Sequence, residues 1–528
     1  KAEELALSDA RSACVYARIA LETAIKWMYR SDRTLRSPYE TTLSALIHEP
    51  TFRNLVGNPI VTKAKIIKDL GNMAAHESKI LSQTNAITAV RELFHFSYWL
   101  VRTYGKGLKP PASLAFSAES LPQTAQVEAK TLAKLKQIEK QFQESQKAQE
   151  QAEKERLKSE EGRAELEAEI KKLHEAIAKV KKANISVPDE HDYNEAQTRD
   201  AFIDLLLNEA GWMLDGPKDI EFPITGMPKN TGEGIVDYVL WGQDGKPLGL
   251  VEAKRTRRDP REGQRQAELY ADALEKLFGQ RPIIFYSNGY EHWIWDDTRY
   301  PPRPIQGFLK RDELGLAIQR RTMLKKLASE SIKQEIAGRY YQTRAIRRIA
   351  ETFEKDNTRK ALLVMATGSG KTRTVIALSD LFMRANWAKR ILFLADRVAL
   401  VNQAAGAFKK FLPNASPVNL VTDRSSQGRV YVSTYPTMMG LINEVKNGGV
   451  RQFGSGHFDL IIIDEAHRSV YRKYRAIFDY FDSLLIGLTA TPKDEVDRDT
   501  YELFDLERGV PTDRSEERRV GKECRSRW

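Results

Sequence analysis

Residues 361–372 read ALLVMATGSGKT: a short apolar run, a turn of small residues, then a lysine and a threonine. The order predicts a buried strand, a tight loop and the first turn of a helix. Small residues there let successive backbone N–H groups wrap a phosphate, and Gly368, Ser369 and Gly370 supply that wrap. The ammonium of Lys371 then reaches the β- and γ-phosphates, and Thr372 offers a hydroxyl to Mg²⁺. A helix N-terminus adds a dipole that favours the anion. A lone glycine-rich loop also reads as a plain turn, so the reading depends on the residues downstream of it.

Downstream lies a series of apolar runs separated by helical stretches: RILFLADR (390–397), RVYVSTY (429–435), DLIIIDEAH (459–467) and LLIGLTAT (484–491). Such runs imply a parallel sheet covered on both faces. In the third run Asp464 is placed to hold Mg²⁺, and Glu465 to orient or deprotonate an attacking water. His467 would couple this site to the segment Thr489 to Thr491. Strand, loop, helix, acidic strand and third motif in this order leave the plain-turn reading little room.

These motifs resemble superfamily 2 helicases and translocases of the DEAH-box kind, whose fold is a RecA-like domain. The resemblance implies an adenine-reading role for Gln342 in RYYQ (339–342) and makes Thr491 part of the nucleotide site. It also implies nucleic-acid contacts for Arg397 and Thr434. Met365 stands where the loop's usual first glycine would be, a departure this group commonly shows. The family works with a second RecA-like domain carrying an arginine finger, and no such domain follows Thr491. The expectation for this chain is therefore ATP binding with poor hydrolysis.

A second site is expected upstream. GIVDYVLWGQDGKPLGLVEAKR (234–255) is two apolar runs around Asp244-Gly245, a strong hairpin signal. A two-residue turn there would set Asp237 directly opposite Glu252, their Cβ atoms roughly 4.5–5.5 Å apart on one face. Two adjacent carboxylates relieve their repulsion by binding a divalent cation. Lys254, two residues on, shares the face of Glu252 and could steer a water or hydroxide toward a scissile phosphate. Gln266 and Tyr270 lie one helical turn apart on the following helix. Together Asp237, Glu252-x-Lys254 and Gln266-x-x-x-Tyr270 resemble the PD-(D/E)xK nucleases of the RecB kind, with a restriction-endonuclease-like α/β fold. The competing reading is a surface hairpin with solvated charges. The basic run Lys254, Arg255, Arg257, Arg258, Arg261 and Arg265 suits phosphate contacts, although such a run also serves as a solvated helix face.

The remaining sequence frames these sites as a multidomain protein. Residues 1–107 carry helical periodicity and predict an all-α domain, with GNMAAHE (71–77) falling between its last helices. That domain is remotely HEPN-like, but it lacks the arginine of the HEPN ribonuclease motif before His76, which assigns it a structural role. Residues 108–127 read as a linker and 128–184 as a long helix or coiled coil. In the latter, Leu166, Ile170, Leu173, Ile177 and Val180 form a heptad seam. The nuclease-like domain is expected over 185–310, a linker helix over 311–338 and the first RecA-like domain over 339–512. Residues 513–528 resemble the read-through translation of a sequencing adapter and are expected to be non-native.

The formal charge is +11 among 528 residues, which makes a polyanionic partner plausible. Two cysteines, Cys14 and Cys524, exclude a disulfide framework and suit a reducing cytosol. No apolar run approaches a membrane span.

A nuclease followed in one chain by a superfamily 2 motor resembles the restriction (R) subunit of type I restriction–modification enzymes. That resemblance covers roughly residues 1–512. It implies an ATP- and Mg²⁺-dependent translocase and endonuclease acting on double-stranded DNA in the bacterial or archaeal cytoplasm. Methyltransferase (M) and specificity (S) subunits would be its partners. Type III restriction subunits carry the nuclease after the motor, so the order here argues against them. A rival reading is a translocase or remodeller whose nuclease-like domain binds DNA without cutting it.

Overall fold

The computed structural model describes residues 1–38, 41–76, 81–107, 109–122, 132–156, 160–187, 195–225, 227, 232–253, 263–289, 291–355, 358–366, 368–442, 450–466, 468–490, 501, 504–507 and 510–514. Two sheets organise them. The first is mixed and six-stranded, with strands in sequence order: β1 (Ile220–Thr225), β2 (Glu233–Trp241), β3 (Pro247–Ala253), β4 (Ile283–Ser287), β5 (His292–Trp295) and β6 (Arg303–Ile305). All its pairings are antiparallel except β3 with β4, which the helix Gln264–Phe278 connects.

The second sheet is parallel throughout. Its strands are β7 (Lys360–Val364), β8 (Ile391–Ala395), β9 (Pro417–Asn419), β10 (Val430–Thr434), β11 (Leu460–Ile463), β12 (Leu484–Thr489) and β13 (Asp513–Arg514), in the spatial order 13-7-12-11-8-10-9. Every residue of β8, β10, β11 and β12 is buried, which is why these strands are apolar runs rather than alternations. Asp513 and Arg514 form the edge strand beside β7, while 515–528 lie outside the described residues.

The hairpin of β2 and β3 differs from the two-residue turn expected of it. The Gly242 N–H donates to the Lys246 carbonyl at 2.8 Å, enclosing three residues, and Gly245 takes a φ of +75°. A type I turn ending in a left-handed residue needs that glycine. This turn alone would move the register by one, pairing Trp241 with Pro247. A bulge between Leu240 and Trp241 restores it, so that Leu240 faces Gly249, Val239 faces Leu250 and Tyr238 faces Val251. The two departures cancel, so that as far as Tyr238 and Val251 the register is the one a two-residue turn would give.

The N-terminal helices Ala10–Ser31, Pro50–His76 and Gln83–Tyr104 bury Leu21, Ile25, Phe52, Ile67 and Phe96 in one core. Residues 71–76 lie inside the helix Pro50–His76 rather than between helices. Gly71 explains why: a Cβ there would meet that of Arg18 at 2.4 Å, so the glycine admits the neighbouring helix instead of breaking its own. Residue 77 and the side chain of His76 lie outside the described residues.

The helices Leu132–Arg156 and Glu160–Ile185 lie back on this bundle. Arg18 pairs with Glu139 at 2.6 Å, Lys181 with Asp32, and Asn184 donates to the Thr103 carbonyl at 2.9 Å. Of the expected seam, Ile177 packs against the bundle core and Leu173 is half exposed. The side chains of Leu166 and Ile170 fall outside the described residues.

The helix Arg311–Met323 joins the two sheets. Its Leu314 packs into the core beneath β3, where a Cβ on Gly249 would meet it at 3.2 Å. On the other side Arg320 pairs with Asp459 at 2.7 Å, and Arg303 of β6 with Asp482 at 2.6 Å. Among the described residues no helix is long and apolar enough to cross a membrane.

Candidate functional site

The carboxyl edge of the parallel sheet gathers the first set of candidate residues. β7 ends in Val364, and the loop returns through Gly368 (φ +82°) and Gly370 (φ +89°) to the helix Lys371–Arg384. Both glycines occupy the left-handed region that other residues enter only at a cost. Gly370 has a second reason: a Cβ there would sit 2.5 Å from Gln342 Nε2. Lys371 and Thr372 form the first turn of that helix, whose free N–H groups face the loop.

Two strands over, β11 delivers Asp464 and Glu465. Glu465 Oε1 lies 3.1 Å from Lys371 Nζ, so the residue placed on the phosphates and the residue placed on the attacking water meet across the site. Glu465 has a φ of +55°, a strained value for a residue other than glycine. Its own N–H donates to Asp464 Oδ1 at 3.1 Å. Burial pushes the Asp464 carboxyl above its usual range; Lys371 pulls it down and Glu465 raises it further. A carboxylate desolvated in this way gains from an arriving cation, which fits a Mg²⁺ ligand. Thr489 ends β12 fully buried, while His467 and Thr491 lie outside the described residues.

Gln342 is buried at the start of the helix Tyr340–Lys355 with both ends of its amide engaged. It donates to the carbonyls of Ser369 (3.2 Å) and Gly370 (3.4 Å) and accepts from Arg339 N–H (3.3 Å). Sequence reasoning missed Tyr341, whose hydroxyl donates to the same Ser369 carbonyl at 2.8 Å. Its place beside Gln342 in RYYQ was the available signal. Arg397 is exposed at the head of the helix Val398–Phe411. Thr434, in contrast, is buried, and its hydroxyl caps the helix Tyr435–Leu441 by accepting from Thr437 N–H.

The mixed sheet gathers the second set. Glu252 is 2% exposed near the end of β3, and Asp237 Oδ2 accepts the Ala253 N–H at 2.7 Å. The Asp237 carboxylate therefore reaches β3 at the Glu252–Ala253 step, where the ladder gives over to a side-chain bond. Tyr286 of β4 is the parallel-strand partner of Glu252. Above them, Gln266 Nε2 donates to Tyr270 Oη at 2.6 Å, and the Tyr270 ring lies over Gly234, where a Cβ would meet it at 2.9 Å. Two carboxylates at one strand end are oxygen donors of the kind Mg²⁺ takes. Among the described residues no group of three or more acidic, histidine or cysteine side chains forms a metal cluster. Lys254, Arg255, Arg257, Arg258 and Arg261 lie outside the described residues, and Arg265 pairs with Glu268.

Three family models match parts of the chain. Residues 335–494 match the family described as Type III restriction enzyme, res subunit. Residues 221–303 match the Type I restriction enzyme R protein N terminus (HSDR_N), and 1–137 match a domain of unknown function, DUF4145. The EcoAI type I restriction enzyme endonuclease subunit of Escherichia coli is 31% identical over 287 residues, 51% of this chain and 34% of that protein. The EcoKI endonuclease subunit of Escherichia coli (strain K12) is 28% identical over 387 residues, 55% of this chain and 32% of that protein. The fragment structure of a candidate HsdR subunit of a type I restriction enzyme from Vibrio vulnificus YJ016 shares 27% identity, covering 60% of this chain and 58% of that one, with a TM-score of 0.25. The chain spans about a third of the length of the two Escherichia coli relatives. By these matches the chain is related to the endonuclease (R) subunits of type I restriction enzymes.

Proposed function

We propose that this chain is the part of a type I restriction subunit that holds its nuclease and the first half of its ATP-driven motor. The observation that carries the reading is the meeting of Lys371 and Glu465, 3.1 Å apart at the carboxyl edge of a parallel sheet. The same chain brings Asp237 to the strand end of Glu252. In the motor, Gly368, Ser369 and Gly370 cradle the ATP phosphates, and Lys371 leaves Glu465 to neutralise their charge. Glu465 is thereby released to orient the attacking water. Gln342, already bonded to the loop, reports the state of the loop to whatever fills it, and Tyr341 holds the same carbonyl.

In the mixed sheet, Asp237 and Glu252 would hold a divalent cation, and Lys254 would steer the nucleophile toward a DNA phosphate. Gln266 and Tyr270 position the strand end from the helix above. Mg²⁺ held by Asp464 and Thr372 in one site, and by Asp237 and Glu252 in the other, would supply charge neutralisation at the phosphates. Double-stranded DNA is the substrate, and M and S subunits supply recognition and methylation in the cytoplasm.

The test uses the protein assembled with methyltransferase and specificity subunits. Lys371→Ala is expected to abolish both ATP hydrolysis and cleavage of DNA. Glu252→Gln is expected to abolish cleavage and leave ATP hydrolysis within about twofold, since the second site lies on another sheet. Unchanged cleavage by Glu252→Gln would favour a remodeller with a DNA-binding, non-cleaving nuclease fold.

A further inference from the structure

A cavity of about 250 Å³ lies where the helix Pro50–His76 meets β5 and β6, lined by Arg53, Asn58, Thr62, Lys65, His292 and Gln306 among others. A second hollow shares Arg53, Lys65 and Gln306 and extends to Lys68 and Arg451 near the parallel sheet. Neither touches the two sites already described.

The balance of charge here is uneven. Arg451 is matched by Glu209 at 2.7 Å, and Lys68 by Asp69 at 2.7 Å. Arg53 has Asp479 only at 3.9 Å. Lys65 has no carboxylate within ion-pair reach among the described residues; its bond is a long one, 3.4 Å, to Gln306 Oε1. Burial, with Arg53, Lys68 and Arg451 nearby, pushes the Lys65 amine down to about 7 against an upward pull from Asp69.

Two further features point the same way. His292 is 6% exposed, its Nδ1 is 2.7 Å from Ser287 Oγ, and its Nε2 is buried with no partner among the described residues. Burial and Lys65 hold that ring neutral, with a pKa of about 3. The helix Pro50–His76 is also broken at Gly57 (φ 75°, ψ 164°) and restarts at Pro59. Asn58, Val61 and Thr62, the first turn after the break, line the cavity, so the positive end of a long helical segment faces it. Among the described residues one acid shares the wall: Glu291, which accepts from Asn58 Nδ2 at 3.0 Å.

We propose that this junction cavity binds a phosphate-type dianion, either inorganic phosphate or the phosphate of a mononucleotide, between Lys65, Arg53, His292 Nε2 and the helix start at Asn58. The anion would supply the direct countercharge that Lys65 lacks, and a partly open hollow of this size admits a phosphate group but no duplex. Because the cavity spans the N-terminal helices and the mixed sheet, with Arg451 beside it, occupancy would tie these parts together.

The test is calorimetric titration of the full chain carrying Lys371→Ala, which weakens phosphate binding at the glycine loop. Inorganic phosphate and AMP are titrated separately. Saturable binding of phosphate alone assigns the site to the free ion, and binding of AMP in competition with phosphate assigns it to a mononucleotide. Adding Lys65→Met is expected to weaken either at least tenfold while the melting temperature without ligand is unchanged or higher. Should that variant not fold, Arg53→Gln at the cavity rim is expected to weaken binding several-fold. No saturable binding of either ligand, or equal affinity in the folded Lys65→Met protein and its parent, would overturn the proposal.

Discussion

The parallel sheet presents its candidate residues in the turns at one edge, whereas the mixed sheet carries them on two strands within the sheet. Lys371 and Thr372 follow β7 in an unbroken loop, and Asp464 and Glu465 follow β11 in the same way. Each group is local in sequence, and the sheet only has to bring two strand ends together. Asp237 and Glu252 depend on a rung of an antiparallel ladder, so one residue of slippage would separate them. A loop site thus tolerates variation in its sheet, whereas a ladder site tolerates a changed turn only where a bulge offsets it.

The largest expected effect lies in the loop site. Glu465→Gln in the full-length protein keeps the shape of the side chain but removes both its charge and its ability to take a proton. Nucleotide binding is expected to persist, while ATP hydrolysis falls on the order of 10²-fold to 10³-fold. Removal of the Lys371 partner is also expected to tighten binding, since Lys371 then has no ion pair to give up. Hydrolysis at more than about a tenth of the parent rate, read from steady-state phosphate release, would show that the geometry at Glu465 does not carry the step.

How much of this was legible in the sequence follows the same division. The strands β7, β8, β10, β11 and β12 stood out because a strand buried on both faces must be apolar along its length. The Asp237–Glu252 rung was reached through a two-residue turn that does not exist. As far as Tyr238 and Val251 the register is the one that turn would give, because the bulge between Leu240 and Trp241 offsets the longer turn, and nothing in the residues themselves announces a bulge there. Gly71 misled for a related reason: the sequence shows a missing side chain, not the Arg18 side chain that fills the space. Lys65 and His292 were invisible because they are 227 positions apart, and their burial arises only when a helix and a sheet meet.

Glu313, on the helix that joins the two sheets, belongs to that last class and gives the next effect in size. Its side chain is fully buried, Oε2 accepts from Lys310 N–H at 2.9 Å and Gly456 N–H at 3.2 Å, and burial pushes its carboxyl up to about 7 from an ordinary 4.5. The folded protein therefore holds a proton that the unfolded chain releases between these values. Stability contributed by that proton is complete below about 4.5 and is lost as pH rises through about 7, with no further change above. The loss amounts to about 3 kcal/mol. Urea midpoints taken across this range are expected to fall with rising pH, and Glu313→Gln, which keeps the acceptor oxygen, is expected to flatten this part of the slope. An unaltered slope in the variant would place the titration elsewhere.

The smallest effect concerns the turn that the ladder site depends on. Gly245 has a φ of +75°, and no described atom lies within 4 Å of where a Cβ would sit, so Gly245→Ala meets backbone strain but no clash. The expected loss is about 1 kcal/mol of stability, confined to the hairpin, with ATP hydrolysis unchanged. Cleavage separates a hairpin that keeps its register, in either of two ways, from one that slips. If the bulge at Leu240 and Trp241 is held by its own packing, the register survives the strained turn and cleavage stays within about twofold of the parent. If turn and bulge exist only as a pair, relief of the strain by a two-residue turn removes the bulge as well, and Asp237 still faces Glu252. Only a slip in which the turn changes and the bulge remains would take Asp237 off its rung. Cleavage would then be lost at a cost in stability far too small to unfold the sheet. Amide exchange at Ala253, whose N–H is donated to Asp237, reads that slip directly.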